Sequence, residues 1–288
     1  MSSQQAVRDD VSTRYAKAVT QKSEASEMKE GCCGGAPVQK GTIVKIAGYT
    51  SEELEALPPE AVVNSFGCGN PLAFAQVEEG QTVVDLGSGA GIDILIAAKK
   101  VGPTGKAIGI DMTDEMIAKA NENIATSGLD NVEVRKGIIE KMPIDDGSVD
   151  WVISNCVINL SPEKPKVFAE VARVLKSGGT MQVSDIVVQE LPDWVREDKA
   201  LYSACVSGAI SEEEYIAGLE EAGLTDIEVM ERLVYDKTQL KGLMKSELTE
   251  EVIASLGCCG GNGADVMSDM AEQFEGKIWS AKIRASKP

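Results

Sequence analysis

The sequence predicts an α/β fold: a doubly wound, mainly parallel seven-stranded sheet with an N-terminal extension and C-terminal additions. Three observations lead there. Thr82, Val83 and Val84 form a β-branched run suited to a buried strand, with Asp85 near its end. Gly87, Gly89 and Gly91 and the apolar stretch Ile92 to Lys100 follow it, so the segment reads as strand, sharp turn, helix. A second run, Lys106 to Asp111 (KAIGID), ends in an acid 20 residues beyond Gly91, the distance at which such folds place a carboxylate for ribose hydroxyls. Strand-like and helix-like segments then alternate as far as Ile186, the pattern of right-handed crossovers in a parallel sheet.

The elements follow in order. Val7 to Thr20 reads as a helix. A polar stretch leads from it to GCCGG at Gly31 to Gly35, where Cys32 and Cys33 sit side by side between glycines that leave the backbone free. Thr50 and Glu53 have capping-box spacing and open a short helix that stops before Pro58. Ala61 to Phe66 looks helical and runs into a turn, Gly67 to Pro71, that presents Cys68. After Asp111, Thr113 caps a helix that ends at Gly128. Asn131 to Lys136 alternates as a third strand, with Gly137 to Glu140 at its carboxyl end. Asp150 to Ser154 is the fourth strand. Asn155, Cys156 and Val157 stand at its carboxyl end, where open α/β sheets bind ligands.

Ser161 and Pro162 open a helix that reaches Lys176 and stops at Gly178 and Gly179, and Thr180 to Ile186 is the fifth strand. Trp194 to about Ala204 looks helical and delivers Cys205. Ser211 and Glu214 form a capping box for a helix ending at Gly223. Ile227 to Tyr235 and Lys277 to Arg284 read as the last strands, with a second GCCGG (Cys258, Cys259) between them. The expected division is an N-terminal extension over 1–60, a cofactor-binding core over 61–190 and a C-terminal region over 191–288. The strands of that last region complete the sheet, and the rest of it packs over the sheet as a lid.

Composition narrows the chemistry. The net charge is −18 and basic residues do not cluster, which argues against binding nucleic acid through its phosphates or an anionic membrane. No apolar run reaches transmembrane length and no signal-peptide core opens the sequence, so the expectation is a cytoplasmic protein whose seven cysteines are largely reduced. There is no histidine. Ser-His-Asp and Cys-His catalysis and the usual general base are therefore absent.

The glycine turn itself selects a ligand class. The third glycine comes two residues after the second, not three as in the dinucleotide fingerprint, and Asp85 and Asp93 flank the turn. A carboxylate at a helix N-terminus repels pyrophosphate, so a ligand with an amino group and a sulfonium suits the turn better. The stretch resembles the first motif of the Rossmann-like class I S-adenosylmethionine (SAM) methyltransferases. Cys68, Cys156 and Cys205 each fall near the expected sheet mouth. Such residues serve as small buried hydrophobes or as ligands. The side-by-side thiols of GCCGG match structural zinc spacing poorly, and three thiolates around an open face suit a soft, thiophilic centre.

SFGCGNP, SNCVINLSPEKPKVFAEVARVLKSGG and YSACVSGAISEEEY, together with the stretch from Val83 to Met116, look like the arsenite methyltransferase family. The resemblance covers residues 50–235 closely. It implies that Cys68, Cys156 and Cys205 bind arsenite or its thiol conjugate, and that Cys32 or Cys33 takes part in redox turnover. It also implies a thiol reductant of glutathione or thioredoxin type. For SAM, the turn residues Gly87, Ser88, Gly89 and Gly91 permit close approach, and Asp85 and Asn155 suit the amino acid end. Asp111 suits the ribose with Met112 beside the ring, and Ile138, Ile139 and Glu140 suit the adenine edge. Met112 and Ile139 are equally compatible with ordinary core. Two other classes stay open: a methyltransferase of an organic substrate, which needs a base such as Glu140 or Lys136, and a non-enzymatic metalloid-binding protein.

Overall fold

The structure is a computed structural model, and it describes residues 3–24, 49–51, 54, 57–58, 61, 70–73, 75–190, 196, 205–241, 268 and 271–288. Its strands are β1 (Thr82–Leu86), β2 (Lys106–Asp111), β3 (Val132–Lys136), β4 (Val149–Asn155), β5 (Leu175–Val188), β6 (Thr225–Val234) and β7 (Ile278–Ser286). They form one sheet in the order β3-β2-β1-β4-β5-β7-β6. Pairing is parallel from β3 through β5, and β7 runs antiparallel between β5 and β6. The chain builds β1, β2 and β3 toward one edge and then returns to lay β4 on the other side of β1. The carboxyl ends of β1 and β4 therefore part into a crevice.

Five helices are described: α1 (Ser3–Glu24), α2 (Ile92–Val101), α3 (Asp114–Ser127), α4 (Lys164–Val174) and α5 (Glu212–Glu221). Side chains alternate across a strand, so Val83 and Val84 point to opposite faces. Val83 and Ile153 pack with Ile94 and Leu95 of α2. Val84, Leu86 and Val152 pack with Val167 and Val171 of α4 and Leu219 of α5. On that second face the rings of Phe168 and Tyr215 lie 5.1 Å apart. Burial on both faces explains why the parallel strands read as near-continuous Val/Ile runs.

Several boundaries differ from the sequence reading. The helix expected from Ser161 to Lys176 is confined to α4, with Pro165 in its first turn. Ser161 is diverted: its Oγ donates to Glu140 at 2.7 Å and accepts from the Glu163 N–H at 3.1 Å. β5 starts at Leu175 and takes in the glycines expected to precede it. The Gly178 N–H donates to the Lys287 carbonyl at 2.8 Å, and the Lys287 N–H to that of Gly179 at 2.9 Å, so the C-terminal strand recruits them. Thr113 stands at the N-cap of α3, but its side chain does not cap the helix. Its Oγ1 lies 3.3 Å from Ser12 Oγ of α1 instead. The Ser211–Glu214 capping box forms as the spacing predicts. Apart from Ala61 and Arg196, the expected helices over 61–66 and 194–204 lie outside the described residues, as do both GCCGG segments and most of the segment after Thr50. Among the described residues, no helix is long and apolar enough to cross a membrane.

Candidate active site

The crevice opens into a cleft enclosing about 1000 Å³, including space open to solvent. β1 delivers Asp85 and the turn residues Gly87, Ser88 and Gly89 to its floor, and β2 delivers Asp111 and Met112. The segment after β3 contributes Ile138, Ile139 and Glu140, and the end of β4 contributes Asn155 and Cys156. Gly91 is not part of the lining. It stands at the N-cap of α2, where an added Cβ would lie 3.5 Å from Ala120. Gly87 is constrained on two counts. Its φ is +64°, and a Cβ there would lie 2.5 Å from the Val157 side chain. At Gly89 a Cβ would meet nothing within 4 Å, so the turn offers bare backbone to the cleft.

The acids are arranged in two ways. Asp111 is held by backbone: its oxygens accept from the Gly89 N–H at 2.9 Å and the Thr113 N–H at 2.8 Å. Burial raises its pKa, and those N–H groups pull it back down. Asp85 lies deeper, and burial, with Asp93 and Asp111 adding negative charge, holds it well above the usual carboxylate range. Asp93, at the start of α2, accepts from the Tyr49 hydroxyl at 2.7 Å. Asn155 Nδ2 donates to the Tyr49 oxygen at 3.1 Å and to Asp93 at 3.4 Å. Burial first, and Asp93 second, push the Tyr49 phenol well above its ordinary range, so it stays a donor. Ser88 Oγ is buried and has no hydrogen-bond partner among the described residues.

On the thiol side, Cys156 and Cys205 both adopt left-handed backbone, with φ of 60° and 61°. The Cys156 N–H donates to the Ser184 carbonyl of β5 at 2.9 Å, and Cys205 Sγ donates to the Cys156 carbonyl at 2.8 Å. Cys205 is a buried thiol. Cys156 is disulfide-bonded. Cys32, Cys33 and Cys68 also lie outside them. Among the described residues no cluster of three acidic, histidine or cysteine side chains could hold a metal ion.

A buried polar network supports these turns. Lys164 Nζ donates to the carbonyls of Asn159 and Ser161 at 3.2 and 3.0 Å, and Asn159 Nδ2 donates to Asp185 at 2.8 Å. Burial lifts Asp185 to about 7 and lowers Lys164 to about 8.

The sequence reading missed Tyr49 and the lining residues of α1, which are Arg8, Val11 and Tyr15. Tyr49 carries no local signal, since it meets Asp93 only through the fold. A signal for α1 was present: Val7, Val11, Tyr15 and Val19 recur every fourth residue, a stripe that needs a partner. Glu140, expected at the adenine edge, does line the cleft, and it also accepts from Arg8 at 3.0 Å.

A model of the methyltransferase domain matches residues 77–223. An arsenite methyltransferase of Halobacterium salinarum is 45% identical over 200 residues, which are 69% of this chain and 50% of that protein. The arsenite methyltransferase of Homo sapiens is 35% identical over 215 residues, covering 71% of this chain and 54% of that one. The chain thus spans about half the length of these curated relatives. Among solved structures, an arsenic(III) S-adenosylmethionine methyltransferase from Chlamydomonas reinhardtii superposes with a TM-score of 0.59 at 31% identity. That match covers 85% of this chain and 72% of the other.

Proposed function

The chain belongs to the arsenite methyltransferase family of class I SAM-dependent methyltransferases, and from that premise we propose that it methylates trivalent arsenic held on cysteine sulfur. The observation that carries the reading is the approach of two cysteines to the glycine cradle. Cys156 lines the cleft beside Asn155, and the sulfur of Cys205 reaches the Cys156 carbonyl.

The cleft suits SAM by its donor set. Asp85 and Asp93 offer buried negative charge to an ammonium, Asp111 offers a backbone-held carboxylate to hydroxyls, and Ser88 Oγ is a buried polar atom awaiting a partner. Asn155 and Met112, with Ile138, Ile139 and Glu140, would complete the contact. When bound, SAM supplies a methyl group on a positively charged sulfonium. The chain's own residues supply position and charge. An arriving cation favours the ionised form of Asp85, so binding reverses part of the effect of burial.

Trivalent arsenic brings its own lone pair. No proton has to leave the nucleophile, and a chain without histidine suffices. Cys156 and Cys205, joined by Cys68, hold the metalloid as thiolates and release thiol protons as they bind it. Cys156 is disulfide-bonded in this structure, so an external thiol of glutathione or thioredoxin type opens that bond first by thiolate attack. Methylation leaves arsenic formally pentavalent. Two thiolates, one of them Cys32 or Cys33, then give up two electrons to return it to the trivalent state, and they end as a disulfide for the same reductant to reopen. Action in the cytoplasm, as part of arsenic detoxification, accords with this chemistry.

The test is incubation with arsenite, SAM and a dithiol. Mass spectrometry should find methylated arsenic and S-adenosylhomocysteine in step. Binding of both ligands without any methylated product would overturn the reading.

A further inference from the structure

We infer that α1 is a working wall of the cofactor cleft and that Arg8 is a positioning residue, holding Glu140 and tying the helix down over an occupied cleft. This rests on the SAM-binding reading of that cleft.

The geometry is specific. Arg8 Nε and Nη2 donate to one Glu140 oxygen at 3.2 and 3.0 Å, and Nη2 also donates to Glu163 at 2.5 Å. These side chains are largely shielded, with 11%, 5% and 14% of the surface of Arg8, Glu140 and Glu163 exposed. Glu140 follows β3 and Glu163 follows β4, so one guanidinium joins two loops of the cleft. Four residues along α1, Ser12 Oγ meets Thr113 Oγ1 in the loop after β2. A single helix therefore links the segments that leave β2, β3 and β4, across the strand β1 that lies between β2 and β4. Beside these contacts α1 presents Val11 and Tyr15 to the cleft.

Packing adds to the hold, since Val7 and Tyr15 lie against the buried cluster that contains Val11. Of residues 4–20, only Val11 and Val19 are buried. Full burial of a valine stabilises by roughly 1.5–3 kcal/mol, and a helix in a protein takes most of its stability from such packing. Docked and undocked states of α1 are in equilibrium, and an occupant touching Val11 and Tyr15 shifts it toward docking. Arg8 enters that balance through its ion pairs with Glu140 and Glu163. Its fork also fixes the Glu140 carboxylate, which faces the cleft from the other side.

The experiment uses the full chain and S-adenosylhomocysteine as an unreactive probe. It combines hydrogen exchange across residues 3–24 with calorimetric affinity, in wild type, Arg8→Met and Arg8→Lys. In wild type the probe should slow exchange across α1 about tenfold, the change that 1.4 kcal/mol produces. Arg8→Met should lose most of that protection and weaken the probe by a similar factor. Arg8→Lys keeps the charge without the fork and should fall between the two. A merely structural Arg8 would give faster exchange by the same factor with and without probe, at wild-type affinity, and that overturns the inference. Wild-type affinity and protection in Arg8→Lys overturn it too, even where Arg8→Met folds poorly. If wild type itself fails to bind the probe, the SAM-binding reading falls along with the inference. Tight binding with α1 unprotected removes the inference alone.

Discussion

The glycine turn after β1 and the cysteine turns opposite it solve one backbone problem in contrary ways. Both need left-handed backbone: φ is +64° at Gly87, 60° at Cys156 and 61° at Cys205. At Gly87 that conformation is free of strain, and a side chain is what the site cannot hold, because Val157 occupies the space. At the two cysteines the conformation costs roughly 1–2 kcal/mol each, and the side chain is what the site retains. Strain of this kind persists only where surroundings over-determine it, and here they do. β5 fixes the Cys156 N–H, and the Cys205 sulfur fixes the Cys156 carbonyl. The contrast teaches that the cofactor wall is built by removing atoms and the thiol wall by holding them in place.

The comparison breaks most visibly at Gly87. Gly87→Ala meets both the left-handed penalty and the overlap with Val157, so urea unfolding should show a loss of about 2–4 kcal/mol. A loss below about 1 kcal/mol would mean that Val157 yields freely and that the turn is not shape-limited.

A middle-sized effect concerns charge. Asp85 has its folded pKa raised by burial, so the native state binds its proton more tightly than the unfolded chain does. Its contribution to stability therefore falls as pH rises above the unfolded value of 3.8 toward the folded one. Asp85→Asn should remove that slope. At pH 8 it should raise the melting temperature of the ligand-free protein, by about 2–4 °C per kcal/mol recovered, while weakening SAM about tenfold or more. Asp185, lifted to about 7, predicts the same sign in a window from 3.8 to 7. Asp185→Asn should flatten stability there and leave SAM affinity unchanged, because Asp185 lies behind the thiol turns and outside the cleft lining. Melting curves at pH 5 and pH 8 separate the two. Equal loss of SAM affinity in both variants would erase the distinction between the walls.

The smallest effect sharpens the contrast. Cys205→Gly relieves the left-handed strain but loses buried contacts and adds chain entropy, so unfolding under reducing conditions should change by less than about 1 kcal/mol. Cys205→Ala keeps the strain and should be less stable than Cys205→Gly by about 1 kcal/mol. Both should bind arsenite at least tenfold more weakly, since each removes one sulfur. An alanine variant more stable than the glycine variant would show that the turn is not strained.

What the sequence determined by itself is the sheet and its mouth. β-branched apolar runs and turn glycines are local or regularly spaced, so the parallel strands and the positions of Asp85, Asp111, Asn155 and Cys156 at strand ends follow from residues read in order. The capping box at Ser211 is legible for the same reason, because donor and acceptor are three residues apart. Tertiary structure decided whatever depends on partners distant in the chain. Lys287, just beyond β7, drew Gly178 and Gly179 into β5, against their local tendency to end a helix. Ser161 gave up its place as a helix start to bind Glu140, and Thr113 turned its hydroxyl toward Ser12. Tyr49 reached Asp93 across 44 positions, and Arg8 reached Glu140 across 132. A buried polar group must find a partner, and which partner is nearest is a property of the packed chain, not of the neighbouring residues.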